Sequence, residues 1–327
     1  MRGLPLNKVK MADVVQQATR ENAIERMSAT FSAVESSGQL DINELQKIAD
    51  SIMYDVIDRP ENLLQLTDIR LHDTYTFAHS VNVSIISAMI GRLLKLPKEE
   101  LSLLTLGGLL HDLGKIKVAS EILNKNGRLN DEEFSEIKHH PEEGARRIME
   151  MADMLPHPEI LARIAEEHHE RLDGSGYPHN KKSNEIHSFS KVVAIADVYD
   201  ALTSERSYKR PYTPSVTRNI MVNLSKGHFD ESLIHLFFNN VAVYPVGTIL
   251  KTIYGFGIVT KCEFGHTETP SICVFADNEG NMKDKPERID LKDDGTRAIE
   301  MEVSGIELLH FIHKLTFNPM VYLTEEA

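Results

Sequence analysis

The chain has 327 residues, 41% of them hydrophobic, a composition typical of folded globular protein that excludes a largely disordered chain. Its net charge of −13 argues against a general affinity for long nucleic acids, whose phosphate backbones attract positive charge. Two cysteines exclude a disulfide framework, and no apolar run approaches the roughly 18 residues of a membrane helix or forms a secretory signal within residues 1–30. The sequence therefore predicts a cytoplasmic protein without a membrane span.

Residues 1–60 are predicted to form an N-terminal helical segment. Asp41, with Glu44 three residues later, resembles a capping box at a helix start. Apolar residues then recur at steps of three and four to about residue 57, which indicates an amphipathic helix. Two interpretations stay open for this segment: a small helical bundle, or a module that either senses a signal or joins two copies of the chain into a homodimer.

Helical patterning dominates residues 61–243. Four prolines stand near predicted helix starts, where the missing N–H of proline is tolerated: Pro97, Pro141, Pro158 and Pro214. This segment is predicted to be one helical domain.

Residues 244–327 have a different character. Short β-rich runs at 246–250, 257–260 and 271–276 are separated by glycine or turn signals, and a turn is predicted at 277–280. We predict a small β-rich appendage of three or four strands, followed by a terminal helix at 305–314. The fold class is therefore mostly α, with a β-rich tail.

Histidines and carboxylates form the strongest chemical signal. His168 and His169 adjoin a glutamate and a glycine-rich turn, and the pair His111–Asp112 ends an apolar helix. Imidazole and carboxylate groups are ligands for divalent metals at neutral pH. Taken alone, a histidine on an apolar helix, such as His79, would more often be a buried, hydrogen-bonded residue.

The spacing of these residues favours one shared centre. His79 and His111 are 32 residues apart, and 28 residues separate each of the pairs Asp112–His140, His140–His168 and His169–Asp197. About 28 residues accommodates one helix and its return in an all-α fold. Each turn of a helical bundle could therefore deliver one set of ligands to a multinuclear metal centre.

These motifs resemble a known family. The pair His111–Asp112, with a preceding histidine and a later aspartate, resembles the HD metallophosphohydrolase superfamily. The pattern HHExxDGxGYP at 168–178 is similar to its HD-GYP branch, the bacterial cyclic di-GMP phosphodiesterases. The resemblance covers roughly residues 61–300 and does not reach 1–58. It implies an HD-type helical bundle that hydrolyses cyclic di-GMP to 5′-pGpG, in some members on to GMP, in second-messenger signalling.

The resemblance also implies a ligand set. It places two divalent metal ions, iron or manganese, in this centre, with Asp112 bridging them. The implied ligands are His79, His111, Asp112, His140, His168, His169 and Asp197.

Further residues are candidates for the reaction and for substrate binding. Lys115 of the HDxGK motif is the candidate cation beside the departing 3′ oxygen, where it could donate a proton or stabilise the alkoxide, and Asp73 is its candidate partner. Arg206 and Lys209 match the basic substrate-contacting residues of the family. Tyr177 either contacts a base or braces its own loop, and the face around it could bind a protein partner.

Two departures from the family pattern qualify these expectations. Tyr75 stands where some members carry a glutamate that supplies a third metal site, so two metals are expected. The stretch 179–186 is less glycine-rich than usual, which leaves the loop conformation and substrate access open. The alternative functions are hydrolysis of cyclic GMP-AMP or a linear dinucleotide, and an interaction module that binds cyclic di-GMP with little turnover.

Overall fold

The structure, a computed structural model, describes residues 15–37, 40–59, 75–123, 125, 127–204 and 211–303, with only the backbone at 34–37, 75 and 76. The described residues form two compact units, one of residues 15–59 and 75–237 and the other of residues 238–303. The helix predicted at 305–314 lies outside the described residues.

The first unit begins with helices α1 (Gln17–Ser37) and α2 (Ile42–Asp58). The Asp41 side chain caps α2 by accepting a 3.0 Å hydrogen bond from the backbone N–H of Glu44, so the predicted helix start is confirmed. One face of α2 buries apolar residues, and α2 packs against α1, α3 and α4. The buried residues of that face are Ile42, Leu45, Ile48, Ala49, Ile52, Met53 and Val56.

Helices α1, α2, α4 and α9 pack around α3, which is buried on nearly all sides along residues 78–91. It packs against α4 and α9, while α8 packs against α4, α7 and α9. An element enclosed in this way has no polar face, which is why α3 shows little amphipathic alternation. The helices are α3 (Tyr75–Leu93), α4 (Lys98–Leu110), α5 (Ser120–Leu123), α6 (Asp131–Ile137), α7 (His140–Glu150), α8 (Pro158–Glu167), α9 (Ser188–Thr203), α10 (Pro214–Ser225) and α11 (Glu231–Phe238).

The four prolines are found where they were predicted. Pro97 is the residue before α4, and Pro141, Pro158 and Pro214 occupy the first turns of α7, α8 and α10. None of the helices in the described ranges has the combination of length and hydrophobicity that crossing a bilayer requires.

The second unit contains an antiparallel sheet in the order β4-β3-β2-β1-β5. Each face carries an apolar cluster, one around Phe275 and the other around Val274. The strands are β1 (Ile249–Thr252), β2 (Gly255–Lys261), β3 (Ser271–Ala276), β4 (Met282–Asp290) and β5 (Ile299–Val303).

The prediction of three or four strands was too low, since five strands lie in the described part of this unit. The missed strands, β4 and β5, form the two edges of the sheet and are largely exposed. An edge strand that faces solvent has no buried face, so its sequence need not alternate apolar and polar residues. Strand β4 accordingly consists mostly of charged residues. The predicted fold class, mostly α with a small β-rich tail, is confirmed.

Candidate metal centre

A turn after α4 positions the first candidate ligands. Helix α4 ends at Leu110 with His111 as its C-cap, and Asp112 leads into a short 3-10 turn, Leu113–Lys117. Gly114 in this turn approaches α7 so closely that a Cβ would stand 2.0 Å from the carbonyl oxygen of His140. Because only glycine permits this approach, the glycine of the HDLGK motif seats His111 and Asp112 beside His140.

Three of the histidines are oriented in the same way. The Nδ1 atoms of His111, His140 and His168 lie 2.8, 2.7 and 2.8 Å from the carbonyl oxygen three residues earlier in the chain. A carbonyl oxygen can only accept, so each Nδ1 carries the hydrogen and each Nε2 presents a lone pair. This is the arrangement by which proteins orient imidazoles toward a metal.

The predicted ligands converge in two adjacent groups. Ligand atoms of Asp112, His140, His168 and His169 lie within 4.8 Å of one another, and so do those of His79, His111 and Asp197. The structure therefore brings together all seven residues that the sequence singled out as metal ligands.

Asp112 faces both groups. Its Oδ1 lies 3.3 Å from His140 Nε2 and 3.8 Å from His168 Nε2. Its Oδ2 lies 3.4 Å from His111 Nε2 and 3.6 Å from His79 Nε2. One carboxylate thus offers one oxygen to each group, the arrangement that a ligand shared between two ions requires.

Asp197 also links the two groups. Its Oδ1 lies 3.3 Å from His79 Nε2, and its Oδ2 lies 3.8 Å from His169 Nδ1. Asp197 comes from α9, whereas Asp112 follows α4. The two carboxylates therefore reach the centre from different helices.

The donor atoms fit divalent cations. Two ligands about 2.1 Å from an ion at tetrahedral angles stand roughly 3.4 Å apart, close to the 3.3–3.8 Å separations seen here. His111 Nε2 and Asp112 Oδ1 are buried and find no hydrogen-bond partner among the described residues. Buried lone pairs that face each other without a proton are unfavourable, and a cation between them would remove that penalty.

The electrostatics of the buried groups agree with this fit. Burial alone would raise the pKa of Asp112, but the Lys115 ammonium and neighbouring histidines hold that pKa well below its usual range. Burial lowers the pKa of His168 and of His169 well below the usual range, so both rings are neutral near pH 7. Anionic oxygens and neutral imidazoles are the protonation states that metal binding needs.

His79 differs from the other histidines in its electrostatics. Burial would lower its pKa, but hydrogen bonds with Asp197 and Asp200 raise the pKa well above the usual value. The two carboxylates thus hold a proton on His79 when no cation is present. A cation at Nε2 would take the place of that proton while the Asp200 contact at Nδ1 persists.

Asp200 is a site residue that the sequence did not reveal. Its buried carboxylate accepts hydrogen bonds from His79 Nδ1 at 2.7 Å, Asn82 Nδ2 at 2.9 Å and Ser204 Oγ at 2.8 Å. It therefore fixes the orientation of the His79 ring. The available signal was its position three residues after Asp197, which puts both carboxylates on one face of α9.

Lys115 and Tyr177 border the ligand groups. Lys115 Nζ lies 2.6 Å from Asp112 Oδ2. The Tyr177 ring stacks on His169, with ring centres 4.7 Å apart and an interplanar angle of 30°. Burial raises the pKa of Tyr177, so its hydroxyl is neutral.

Glu170 holds the loop that contains Gly174 and Gly176 next to the ligand pair His168 and His169. The sequence did not assign this role. The buried side chain of Glu170 accepts backbone hydrogen bonds from His179 at 2.7 Å and Lys181 at 3.0 Å. A Cβ at Gly176 would stand 2.5 Å from the Glu170 Cα, so the loop folds directly over Glu170. These contacts set the position of Tyr177 beside His169.

The unusual stretch after the loop is also anchored. Lys181 Nζ lies 2.7 Å from Glu166 Oε2 and 3.1 Å from Glu167 Oε1, and Asn180 Nδ2 donates to the Gly176 carbonyl oxygen at 2.5 Å. Polar contacts thus give this loop a defined path.

Three predicted site residues lie outside the described residues: Asp73, Arg206 and Lys209. Tyr75 is the first residue of α3, and its side chain also lies outside the described part.

Comparison with known proteins agrees with this geometry. The family model described as HD domain matches residues 56–233. Since that span exceeds half of the chain, the chain belongs to the HD domain family, and its resemblance to the HD-GYP branch is confirmed.

Curated relatives match much of the same region. Over 237 residues the chain is 34% identical to a cyclic di-GMP phosphodiesterase from Pseudomonas aeruginosa, covering 72% of this chain and 56% of that protein. Over 175 residues it is 32% identical to the 3′3′-cGAMP-specific phosphodiesterase 2 of Vibrio cholerae, covering 54% of this chain and 33% of that protein. The matched part is thus a third to just over half of each relative's length.

A solved structure supports the fold. The HDG"Y"P protein Bd1817 from Bdellovibrio bacteriovorus matches with a TM-score of 0.56 at 18% identity, covering 70% of this chain and 73% of that chain.

Proposed function

We propose that this protein is a metal-dependent phosphodiesterase that hydrolyses cyclic di-GMP to 5′-pGpG in second-messenger signalling. One observation carries the proposal: Asp112 turns one carboxylate oxygen toward each of two histidine-containing groups. A shared carboxylate between two nitrogen-rich groups suits a pair of divalent ions acting on a phosphodiester. The Pseudomonas relative named as a cyclic di-GMP phosphodiesterase supports the choice of substrate.

The proposed cofactor is two divalent ions, iron or manganese. Asp112, His140, His168 and His169 would hold one ion, and His79, His111 and Asp197 the other, with Asp112 shared. When bound, the ions would make water a stronger nucleophile near pH 7 and offset the charge of the attacked phosphate.

Side chains of the protein would transfer a proton and bind the substrate. As water adds to phosphorus and the bond to the 3′ oxygen breaks, Lys115 would donate a proton to that oxygen. Its ammonium already lies against the centre through Asp112. Asp73 is proposed as the partner of Lys115, from the resemblance alone.

Substrate binding is assigned to Arg206 and Lys209, and Tyr177 is assigned to the rim of the site. Arg206 and Lys209 are proposed to contact the substrate, on the family resemblance. Arginine suits this role because its planar guanidinium grips a phosphate or a guanine edge with two parallel hydrogen bonds. Tyr177 would brace the rim of the site, which its stacking on His169 supports.

The remaining proposals concern the cellular location, the protein partners and the domain organisation. We propose that the protein acts in the cytoplasm, a compartment in which a chain with only two cysteines is common. We also propose that the face around Tyr177 binds a protein partner and that the chain forms a homodimer. The proposed domains are residues 1–60, which would be sensory, 61–243 and 244–327.

The test is a product assay. Protein purified without oxygen would first be analysed for its metals and then incubated with cyclic di-GMP, with the products followed by chromatography. Appearance of 5′-pGpG, abolished by Asp112→Ala, supports the proposal. A parallel reaction with 3′3′-cyclic GMP-AMP tests the alternative substrate, and faster turnover of that dinucleotide would replace cyclic di-GMP in the assignment. Tight binding without product would make the protein an interaction module.

A further inference from the structure

Lys138 is a cation held at the edge of the candidate metal centre. It caps the C-terminus of α6, two residues before His140. Its ammonium lies 4.7 Å from the centre of the Phe134 ring and 5.6 Å from the centre of the Tyr177 ring. Tyr177 in turn stacks on His169 at 4.7 Å. Two short ring contacts thus connect Lys138 to a candidate metal ligand.

This ammonium has no acidic partner in the described part of the chain. The Nδ1 atom of the neighbouring His139 lies 3.5 Å from Glu142 Oε2, and Lys125 pairs with Glu133, but no described carboxylate forms an ion pair with Lys138. The flanking residue Phe134 is 45% exposed. The cluster of Phe134, Lys138 and Tyr177 therefore does not serve to bury apolar surface. Cation–π contacts with two rings hold the charge in place without neutralising it.

We propose that Lys138 binds the second phosphodiester of a cyclic dinucleotide, the one that is not being hydrolysed. This inference rests on the proposed function. A cyclic dinucleotide carries two phosphates, and the metal centre can serve only the one under attack. The other phosphate needs a positive charge nearby, which a chain of net charge −13 must supply through individually placed side chains.

The chemistry of the cluster favours a phosphate over a nucleobase. Lysine presents a compact point charge with three donors, which matches phosphate oxygens approached from several directions. The Tyr177 ring is already occupied by His169 and approached by Lys138, which leaves it poorly placed to stack on a base. Phe134 and Tyr177 are therefore positioning residues that hold the Lys138 ammonium.

The test compares two substrates that differ in the second phosphate. Cyclic di-GMP has two phosphodiesters, whereas bis(p-nitrophenyl) phosphate has one and therefore offers no second phosphate for Lys138 to bind. Lys138→Met should raise the KM for cyclic di-GMP about fivefold to twentyfold with little change in kcat, as expected for one partly screened charge-assisted contact. Hydrolysis of bis(p-nitrophenyl) phosphate should stay unchanged.

Two further variants serve as controls. Lys47→Met removes an equally charged lysine that is 67% exposed on α2, and its KM values should equal those of the wild type. Lys138→Arg should retain most of the affinity, because the charge persists. In wild-type protein the KM for cyclic di-GMP should rise with added salt more steeply than in Lys138→Met, since salt screens the lost contact.

The outcomes separate this inference from the proposed function. An unchanged KM in Lys138→Met, or an equal loss on both substrates, overturns the phosphate contact. Failure of the metal-loaded wild type to hydrolyse cyclic di-GMP overturns the proposed function. In that case the same variants are compared by the anisotropy of fluorescein-labelled cyclic di-GMP, and an absence of binding or an unchanged Kd in Lys138→Met overturns the Lys138 assignment as well.

Discussion

Asp200 accepts a 2.7 Å hydrogen bond from Nδ1 of His79, although 121 residues separate the two in the chain. The contact ties α9 to α3 at the centre of the helical unit. It also leaves Nε2 of His79 directed at Asp112 and Asp197. A carboxylate outside the ligand groups thus determines how one candidate ligand is presented.

Asp200→Asn should weaken metal binding about tenfold, at the lower end of the effect of losing a carboxylate that orients a ligand histidine. The neutral amide still fits the space but no longer supports the ring as a charged acceptor. Metal affinity is measured by competition with a coloured chelator, and Asp153→Asn on an exposed turn is the control. Wild-type metal affinity in Asp200→Asn would show that the contact does not orient a ligand.

Asp112→Ala should abolish hydrolysis and lower the metal content of the purified protein. The substitution removes both oxygens that face the two ligand groups. The helical circular dichroism should persist, because the apolar helix faces are untouched. Metal content and product formation are measured on the same preparation. Normal turnover with full metal content would contradict the assignment of Asp112 as a shared ligand.

Gly114→Ala should destabilise the protein by about 3 kcal/mol, because the new methyl group overpacks a backbone contact that has little room to relax. Its Cβ would meet the His140 carbonyl oxygen at 2.0 Å and the Gly144 nitrogen at 2.6 Å. Urea unfolding followed by circular dichroism measures the change. Lys117→Ala, an exposed position in the same turn, should change the stability by less than about 0.5 kcal/mol. Equal stabilities of the two variants would refute the packing argument.

Glu170→Ala should cost about 2–4 kcal/mol, since it leaves two backbone N–H groups of the loop without their charged acceptor. Amide hydrogen exchange at residues 179 and 181 should accelerate along with the loss of stability. Glu159→Ala, whose side chain is 63% exposed, is the matched control and should be nearly neutral. Unchanged exchange at both amides would mean that the loop is held by other contacts.

The purified protein should contain two metal ions per chain. This prediction comes from Tyr75, one helical turn before His79, where a glutamate could reach a further ion. A tyrosine hydroxyl is a poor ligand because it stays neutral near pH 7. Elemental analysis and anomalous-scattering maps give the count, and Tyr75→Glu tests whether one residue creates a third site. Three fully occupied ions in the wild type would contradict the prediction.

Helix starts and ligand identities were predictable because both follow from local patterns. Proline positions marked helix starts, and the intervals between Asp112, His140 and His168 indicated that successive helices return to one place. The edge strand β4 was missed because its exposed residues carry no apolar alternation.

Other parts of the site could not be predicted, since they depend on contacts between distant segments. Asp200 orients His79 across the bundle, and Glu170 acts on backbone groups of a loop. Lys138 gains its position from Tyr177, which belongs to another part of the chain. No periodicity in the sequence encodes these relationships, because each depends on side-chain direction in the folded state.

The carboxyl group of Asp112 also makes the two ligand groups interdependent. The two oxygens of Asp112 belong to one rigid carboxylate. A cation that draws Oδ2 toward His111 and His79 would therefore also shift Oδ1, which faces His140, and would lower the negative charge on Oδ1. Linked binding equilibria are reciprocal. A cation bound by one ligand group must therefore change the cation affinity of the other group by the same factor in both directions. If both groups bind a cation as proposed, metal loading should follow a joint isotherm, in which a substitution at His79 also changes the affinity of the group that contains His140.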